Sequence, residues 1–357
     1  MTARTLHRID ELIAAGLAPA DARAELDAVA ARYAVAVTPA MAALVDPADP
    51  RDPIARQFVP SPAELETRPE ERADPIGDGA HSPVPGIVHR YPDRALLKAV
   101  TICPVYCRFC FRRESVGPTH GGLLPEADLA GAFAYLAEHA EIWEVILTGG
   151  DPLVLAPRRL EALMRRLAAL DHVKVVRLHT RVPAVDPDHV DADLVAALKA
   201  CGKTVYVALH ANHPRELTPA ARAACARLVE AGVPMVSQSV LLRGVNDDVE
   251  TLAALMRGFV EARVTPYYLH HPDLAPGTAH FRLSIAEGQA LVRGLRGRVS
   301  GLCQPTYVLD IPGGAGKSPI GPEYVHDSGL GVEVEDWRGR RHTYPPAPAP
   351  SGRGGSA

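Results

Sequence analysis

The chain has 357 residues, of which 47% are hydrophobic, and its formal net charge at pH 7 is −4. This length suffices for one large domain with a smaller one appended, and the charge gives no reason to expect nucleic acid or an acidic membrane surface as a partner. No apolar run approaches the roughly 18 residues of a membrane span, and Asp10 and Glu11 interrupt the N-terminal segment where a secretory signal would be apolar. With six cysteines that are all compatible with reduced thiols, we expect a cytoplasmic protein.

Residues 1–90 are predicted to form a helical and extended region ahead of the main domain. Helices are expected over Ile9–Ala15 and Ala20–Tyr33. Six prolines between residues 60 and 85 prevent long regular elements there, because proline lacks a backbone donor and fixes its own φ. We therefore expect an extended segment that leads into the next domain.

Residues 91–300 alternate between strand-like and helical patterns. The predicted strands are Leu97–Ile102, Glu144–Thr148, Lys174–His179, Val205–His210, Met235–Leu241 and Thr265–His270. The predicted helices between and after them are Glu126–His139, Arg158–Leu170, Asp191–Ala200, Pro219–Ala231, Val249–Ala262 and Ile285–Leu295. Six such units predict an incomplete parallel βα barrel with its site at the carboxyl ends of the strands, while a doubly wound sheet stays open.

Three cysteines follow the first of these strands in the pattern CxxxCxxC: Cys103, Cys107 and Cys110. Three thiolates this close can hold three irons of a cubane cluster and leave the fourth iron free to bind a substrate. The alternatives are a zinc knuckle or unrelated thiols. Zinc usually takes four closed ligands, often from paired CxxC motifs, and the sequence offers no second pair.

A glycine-rich string, DIPGGAGK, runs from Asp310 to Lys317 within a predicted C-terminal segment over residues 301–343. It is not a phosphate loop, because the GxxxxGK[ST] spacing needs glycine at residue 311, which is isoleucine. A lysine that forms a Schiff base with pyridoxal phosphate (PLP) is one interpretation, and a glycine-rich turn with an exposed lysine is the other. Residues 344–357 are rich in Pro, Gly and Ala and are predicted to be a disordered tail.

Together these motifs resemble the lysine 2,3-aminomutase family of PLP-dependent radical S-adenosylmethionine (SAM) enzymes, over about residues 85–327. The resemblance rests on stretches that recur in the same order: RYPDR from Arg90, CPVYCRFCFRR from Cys103, LTGGDP from Leu147, QSVLLRGVND from Gln238, Asp273-Leu with His280-Phe-Arg282, and DIPGGAGK. It implies an α/β fold, a partial (β/α)6 TIM-like radical SAM barrel with an N-terminal helical extension and a C-terminal PLP-lysine segment. It also implies three cofactors: a 4Fe–4S cluster, SAM and PLP.

Site residues follow from this resemblance. The three cysteines would ligate the cluster, and the residues implied to bind SAM are Phe109, Gly149, Gly150, Asp151 and Gln238. Lys317 would be the catalytic lysine that carries PLP, which Arg90, Tyr91 and Arg94 would help to hold.

For the substrate, Arg112 matches the family's partner of the carboxylate, and Asp273 and Asp310 match two acids that clasp the distal ammonium of lysine. The implied reaction is the interconversion of L-lysine and β-lysine through a 5′-deoxyadenosyl radical. It needs a small amino acid as substrate and an external one-electron reductant of the flavodoxin or ferredoxin type.

Other interpretations remain. The same chemistry on a different amino acid, or production of β-lysine for modification of elongation factor P, are the nearest. An iron–sulfur electron-transfer or sensor protein, or a homologue without turnover, are more distant. The stretch His270-His271-Pro272 departs from the lysine enzymes and could reshape the pocket. The sequence also lacks the C-terminal cysteines through which some members bind zinc between subunits. We therefore predict no zinc site, and homo-oligomerisation stays open.

Overall fold

The computed structural model describes residues 4–327 and 331–345. The strands in these ranges are β1 (Ile87–Tyr91), β2 (Arg94–Val100), β3 (Glu144–Gly149), β4 (Val175–Thr180), β5 (Thr204–His210), β6 (Met235–Val240), β7 (Val264–His270), β8 (Thr306–Ile311), β9 (Gly316–Pro319), β10 (Val325–Asp327), β11 (Val332–Glu335) and β12 (Arg341–Tyr344). The disordered tail predicted for residues 344–357 lies, after Pro345, outside the described residues.

The α-helices are α1 (Ile9–Ala14), α2 (Arg23–Arg32), α3 (Pro39–Ala42), α4 (Pro53–Phe58), α5 (Glu126–Glu138), α6 (Pro157–Ala168), α7 (Val182–Val185), α8 (Ala192–Lys199), α9 (Pro219–Glu230), α10 (Val249–Glu261) and α11 (Ile285–Leu295). Between residues 60 and 86, where prolines are dense, only short 3₁₀ turns form. Within the described ranges, no helix combines the length and apolar character that crossing a membrane requires.

Strands β1 to β9 form one sheet whose spatial order is the order of the sequence. Strands β2 to β8 run parallel to one another, and the antiparallel strands β1 and β9 form its two ends. A doubly wound sheet would reverse its strand order at a switch point, so this order excludes that alternative. The predicted partial barrel is confirmed, with six βα units followed by a seventh parallel strand, β8.

The two ends of the sheet approach each other, which leaves the barrel nearly closed. The hydroxyl of Tyr91 on β1 accepts a hydrogen bond from the backbone N–H of Lys317 on β9, at 2.6 Å. A side chain therefore bridges the gap between the first and last strands.

Local sequence explains the helices that cover the barrel, and α9 is an example. The Thr218 hydroxyl accepts a hydrogen bond from the N–H of Ala221 at 3.1 Å, and Pro219 occupies the first turn, where a missing N–H costs nothing. Its buried stripe includes Cys225, which is fully buried as a core residue.

The N-terminal region shares a core with the barrel. Leu12, Leu26 and Phe58 are almost fully buried and belong to the same apolar cluster as Leu97 and Leu147 of the sheet. The N-terminal helices therefore pack directly against the domain that carries the cysteines.

Candidate active site

The loop after β2 brings the three predicted cluster ligands to one cavity. Cys103, Cys107 and Cys110 are partly buried, free of disulfides, and line this cavity with Tyr33, Val105 and Tyr106. Burial and the nearby Asp151 carboxylate raise the pKa of Cys103, and burial raises the pKa of Cys110 to about 11. Thiols in such surroundings ionise only beside a compensating cation, so this donor set fits an iron–sulfur cluster.

Buried ion pairs fix this loop to the N-terminal region. Arg108, 2% exposed, donates to the fully buried Glu64 carboxylate through Nε at 3.0 Å and Nη2 at 2.6 Å. Arg113 donates to the same carboxylate, and its guanidinium lies 3.5 Å from the Tyr33 ring centroid. Glu64 thus pairs with two arginines of one motif, a role that sequence reasoning missed.

Arg181, directly after β4, is a second residue that sequence reasoning missed. Its Nη1 donates to Cys107 Sγ at 3.2 Å, and its Nη2 pairs with the buried Glu216. The guanidinium also lies 5.6 Å from the ring centroid of Phe109, which contacts Phe281 edge-on at 6.0 Å. A buried cation therefore contacts both Cys107 and Phe109, the aromatic residue implied to bind SAM.

The glycines at the end of β3 pack against the strand that leads to the cysteines. A Cβ on Gly149, whose φ is +105°, would lie 2.5 Å from the Val100 carbonyl oxygen, and one on Gly150 would lie 2.2 Å from that of Ile102. The side chain of Asp151 accepts the N–H groups of Arg181 at 2.7 Å and Leu153 at 3.0 Å. Because glycine has no side chain, the loop after β3 can pack closely against the cysteine loop.

Polar side chains fill the interior of the barrel beside these loops. Gln238, 4% exposed, has its Nε2 3.4 Å from Nε2 of His179. Burial and the charge of Arg177 lower the pKa of His179, and burial and the charge of Arg181 lower the pKa of His210 to about 3. Both imidazoles are therefore neutral near pH 7, and neither was predicted as a site residue.

Lys317 and Asp310 face each other across the β8–β9 hairpin. Lys317 Nζ lies 2.5 Å from Asp310 Oδ1, and His270 Nδ1 lies 3.2 Å from Asp310 Oδ2. Although burial opposes ionisation, the His270 hydrogen bond and the Lys317 charge hold the pKa of Asp310 below its ordinary range. His270, from the stretch noted as a departure, thus contacts one of the predicted substrate acids.

Asp273 has the opposite environment. Its Oδ1 is buried and has no hydrogen-bond partner in the part of the chain that the structure describes. Burial and repulsion from Asp310 raise the pKa of Asp273 to about 8. A carboxyl group with these properties is a vacant acceptor for a cation, since an ammonium would relieve both the desolvation and the repulsion.

Arg112 and Arg90 converge on one acid, Asp78. Arg112 donates to Asp78 Oδ2 from Nε at 3.1 Å and from Nη2 at 2.8 Å, and Arg90 Nη2 lies 3.2 Å from Asp78 Oδ1. Lys98 on β2 is close enough for its charge to act on Asp78, and burial lowers the pKa of Lys98. Asp78 and Lys98 were not predicted from the sequence.

Tyr91 lies beside the glycine-rich string, and Arg94 contacts Tyr91. The Arg94 guanidinium is 3.9 Å from the Tyr91 ring centroid. A Cβ on Gly316, whose φ is +99°, would lie 2.9 Å from the Tyr91 hydroxyl oxygen. Buried Arg90 Nε has no partner in the described ranges, so a donor is available for an anionic group such as a phosphate. These residues fit PLP, with an amine, an aromatic ring and arginines in one region.

A nearly closed parallel barrel with three clustered cysteines after its first parallel strand defines a radical SAM protein. The Radical SAM superfamily description matches residues 97–256, and a second family description, Lysine-2,3-aminomutase, matches residues 292–347. The L-lysine 2,3-aminomutases of Acetoanaerobium sticklandii and Clostridium subterminale are each 41% identical over 291 residues, which is 82% of this chain and 70% of theirs. The glutamate 2,3-aminomutase of Clostridioides difficile is 36% identical over 313 residues, 87% of this chain and 74% of its own.

The chain belongs to the lysine 2,3-aminomutase family. It is a radical SAM isomerase, and the cofactors of its family are a 4Fe–4S cluster, SAM and PLP. Its substrate is a small molecule, and its chemistry requires an external reductant.

Proposed function

We propose that this protein interconverts L-lysine and β-lysine. The observation that carries the proposal is the buried Oδ1 of Asp273, which has no hydrogen-bond partner among the described residues, close to a second buried acid, Asp310. Two carboxylates suit a distal ammonium, because one buried cation is stable only when it is closely paired. The identity to L-lysine 2,3-aminomutases supports the same substrate.

Residue roles follow from the positions described above. Cys103, Cys107 and Cys110 would ligate the cluster, and the residues proposed to bind SAM are Phe109, Gly149, Gly150, Asp151 and Gln238. Lys317 would bind PLP covalently, with Arg90, Tyr91 and Arg94 around the cofactor. Arg112 would bind the substrate carboxylate.

The cofactors supply the bond chemistry when bound: the cluster and SAM provide a carbon radical, and PLP provides an electron sink for the migrating amine. The protein contributes placement. Asp273 and Asp310 hold one end of the substrate and Arg112 the other, which fixes the carbon between them against the radical source. The barrel interior excludes bulk water from that position.

Asp310 has two roles in this proposal: it pairs with Lys317, and it contacts the substrate ammonium. Its Oδ1 pairs with Lys317 and its Oδ2 with His270. Lys317 would hold PLP through its amine, and Asp310 would offer a carboxylate oxygen to the substrate ammonium. His270 would keep that carboxyl group oriented.

Asp78 is proposed to position Arg112. It accepts two of the guanidinium donors, and this contact fixes the plane of the group before substrate binds. A planar guanidinium held this way can present its remaining edge to a carboxylate.

The same chemistry on an acidic amino acid is the second candidate. One observation favours it: Lys98 adds a partly buried amine beside Arg112 and Asp78. Such a cation would suit a second substrate carboxylate, and a glutamate 2,3-aminomutase is among the relatives. Asp273 and Asp310 argue against it, because both would repel that carboxylate.

For the reductant, we propose a flavodoxin or ferredoxin type partner, and for the setting, a cytoplasm that keeps thiols reduced. All six cysteines are unpaired in the structure, which this setting requires. A homo-oligomer remains part of the proposal.

The test compares Asp273→Asn and Asp310→Asn with Asp186→Asn, a substitution of a partly buried aspartate outside this site. We expect the two site variants to need about ten-fold or more L-lysine for half-maximal turnover, because each removes one partner of a buried charge pair. Reductive cleavage of SAM without substrate should remain, and Asp186→Asn should behave as the wild type. Unchanged lysine dependence in both site variants would contradict the proposal.

A further inference from the structure

Two histidines and a glutamate cluster outside the active site, where β1 meets the end of α5. His89 on β1, His139 directly after α5 and Glu141 in the following turn each offer one ligand atom, and these three atoms lie within 4.8 Å of one another. Two imidazoles and a carboxylate are a donor set that borderline divalent metals prefer.

Tyr135 on α5 orients both rings. Nδ1 of His139 donates to the Tyr135 carbonyl oxygen at 2.7 Å, and Nδ1 of His89 lies 2.8 Å from the Tyr135 hydroxyl oxygen. Both imidazoles therefore use Nδ1 within the fold and leave Nε2 for another partner. Metal-bound histidines have this arrangement, because the outer hydrogen bond fixes the ring and its tautomer.

One ring nitrogen of His89 lacks a hydrogen-bond partner among the described residues. Nε2 of His89 is buried and has no hydrogen-bond partner within residues 4–327 and 331–345. A buried polar atom without a partner is destabilising, so it calls for a partner such as water or an ion. His89 is one of the three residues whose ligand atoms lie within 4.8 Å of one another.

His139 and the backbone of Glu141 are positioned by local structure. The N–H of Ile142 donates to the His139 carbonyl oxygen at 3.1 Å, which closes the turn that contains Glu141. The His139 ring stacks on Tyr135 with centroids 3.8 Å apart. Two of the three ligands therefore depend on one tyrosine and one tight turn for their positions.

We propose that His89, His139 and Glu141 bind a divalent ion of the zinc class through Nε2, Nε2 and a carboxylate oxygen, with water as the fourth ligand. A tetrahedral zinc site needs neighbouring ligand atoms about 3.3 Å apart. Because Glu141 is exposed, its side chain is free to rotate inward and close the remaining separation.

The position indicates a structural role that goes beyond the proposed reaction. Tyr91, at the end of β1, pairs with Arg94 at the start of β2, so His89 lies toward the amino end of β2. The cysteine loop follows the opposite end of that strand. An ion here would link β1 to α5 and stiffen the strand that carries Arg90 and Tyr91.

The sequence analysis predicted no zinc site because it considered only cysteines as zinc ligands. His89 is 50 residues from His139 in the sequence, and no short metal-binding motif joins them. Only the packing of α5 against β1 brings these side chains together.

The test uses the full chain with its iron–sulfur cluster reconstituted, so that the clustered cysteines are occupied. Zn²⁺ binding is measured by calorimetry and by elemental analysis after dialysis. We expect about one zinc per chain, and about ten-fold or greater weakening in His139→Gln and Glu141→Gln. His172→Gln is the matched control, since His172 also contacts α5, through the Leu136 carbonyl oxygen, and is not a ligand.

X-ray absorption at the zinc edge separates this site from the cysteines. Nitrogen and oxygen neighbours at about 2.0–2.1 Å are expected, whereas zinc on thiolates would show sulfur at about 2.3 Å. Sulfur ligation, equal binding by all variants, or no zinc after dialysis would each overturn the proposal. Glu141→Gln changes an exposed side chain, so its loss of zinc is not a folding defect, and none of these readouts depends on aminomutase activity.

Discussion

Two aspartates of the same pocket differ in their electrostatic state. Asp310 has two basic partners, Lys317 and His270, whereas Asp273 has a buried oxygen with none among the described residues. The first acid is therefore ionised in the resting protein, and the second favours its neutral form. A substrate ammonium entering the pocket would ionise Asp273, so lysine binding is coupled to proton release from this residue.

Asp273 should also make stability depend on pH. Its pKa of about 8 in the folded protein lies above the ordinary value of 3.8, so its contribution is lost as pH rises toward 8. Asp273→Asn removes the ionisable group and with it this loss of stability at higher pH. We expect its free energy of unfolding, relative to wild type without substrate, to increase by about 1 kcal/mol or more between pH 5 and pH 8. Urea unfolding at both pH values measures the difference, and a constant difference would contradict the assignment.

Two lysines could serve as the amine that binds PLP, and the structure favours Lys317 over Lys98. Lys317 lies beside Tyr91, while Lys98 lies beside Asp78 and Arg112. Lys317→Ala should lose the visible absorbance of covalently bound PLP and keep the iron content, whereas Lys98→Ala should keep both. Covalent PLP in Lys317→Ala, trapped with borohydride, would refute the assignment.

Among the secondary-structure elements, the β8–β9 hairpin depends on a glycine at residue 316. Its φ of +99° is in the left-handed region, and a Cβ would press on the Tyr91 hydroxyl. Gly316→Ala should destabilise the protein by about 1–3 kcal/mol and lower its PLP content. Gly321→Ala, where a Cβ meets open space, is the control. Denaturant unfolding and PLP titration measure both effects, and identical behaviour of the two variants would argue against this account.

The cysteine loop depends on Glu64 in a comparable way. Glu64→Gln leaves Arg108 and Arg113 buried without their shared counter-charge, so we expect a loss of about 3–5 kcal/mol in unfolding free energy and a lower iron content after reconstitution. Glu66→Gln, an exposed acid paired with Arg68, should change stability by less than about 0.5 kcal/mol. Equal effects of the two substitutions in urea unfolding would show that the buried pair is not what holds the loop.

The sequence predicted the repeating elements well, because hydrophobic periodicity is a local signal. The predicted strand Met235–Leu241 is β6 with one residue fewer, and the predicted helix Ile285–Leu295 is α11 without change. Strands β1, β8 and β9 were not predicted. They stand outside the βα repeat, and β9 is rich in turn-forming residues, so only pairing with distant strands reveals them.

At the scale of the molecule, motifs predicted the candidate residues but not their partners. Cys103 and Lys317 lie in short motifs that can be recognised in the sequence. Glu64 is 44 residues from Arg108, and Arg181 is 74 residues from Cys107, so these contacts exist only in the folded chain. The glycines at 149 and 150 were predicted to bind SAM, and the structure adds that they let the β3 end pack closely against the cysteine loop.

The barrel therefore places three chemical regions in sequence around its interior: cysteines with Arg181, neutral histidines, and the lysine–aspartate pair. His210 lies close enough to Arg181 for that charge to act on it, and it is also near His270, which contacts Asp310. This continuity predicts that a substrate held by Asp273 and Asp310 lies against the radical source.

The most direct measurement is anaerobic turnover by the reduced, reconstituted protein with SAM and PLP, supplied in parallel with L-lysine and with L-glutamate, and read by mass spectrometry with amino-acid chromatography. We predict β-lysine from lysine and no β-glutamate from glutamate. β-Glutamate formation without β-lysine, or SAM cleavage with neither product, would contradict the assignment of lysine as the substrate.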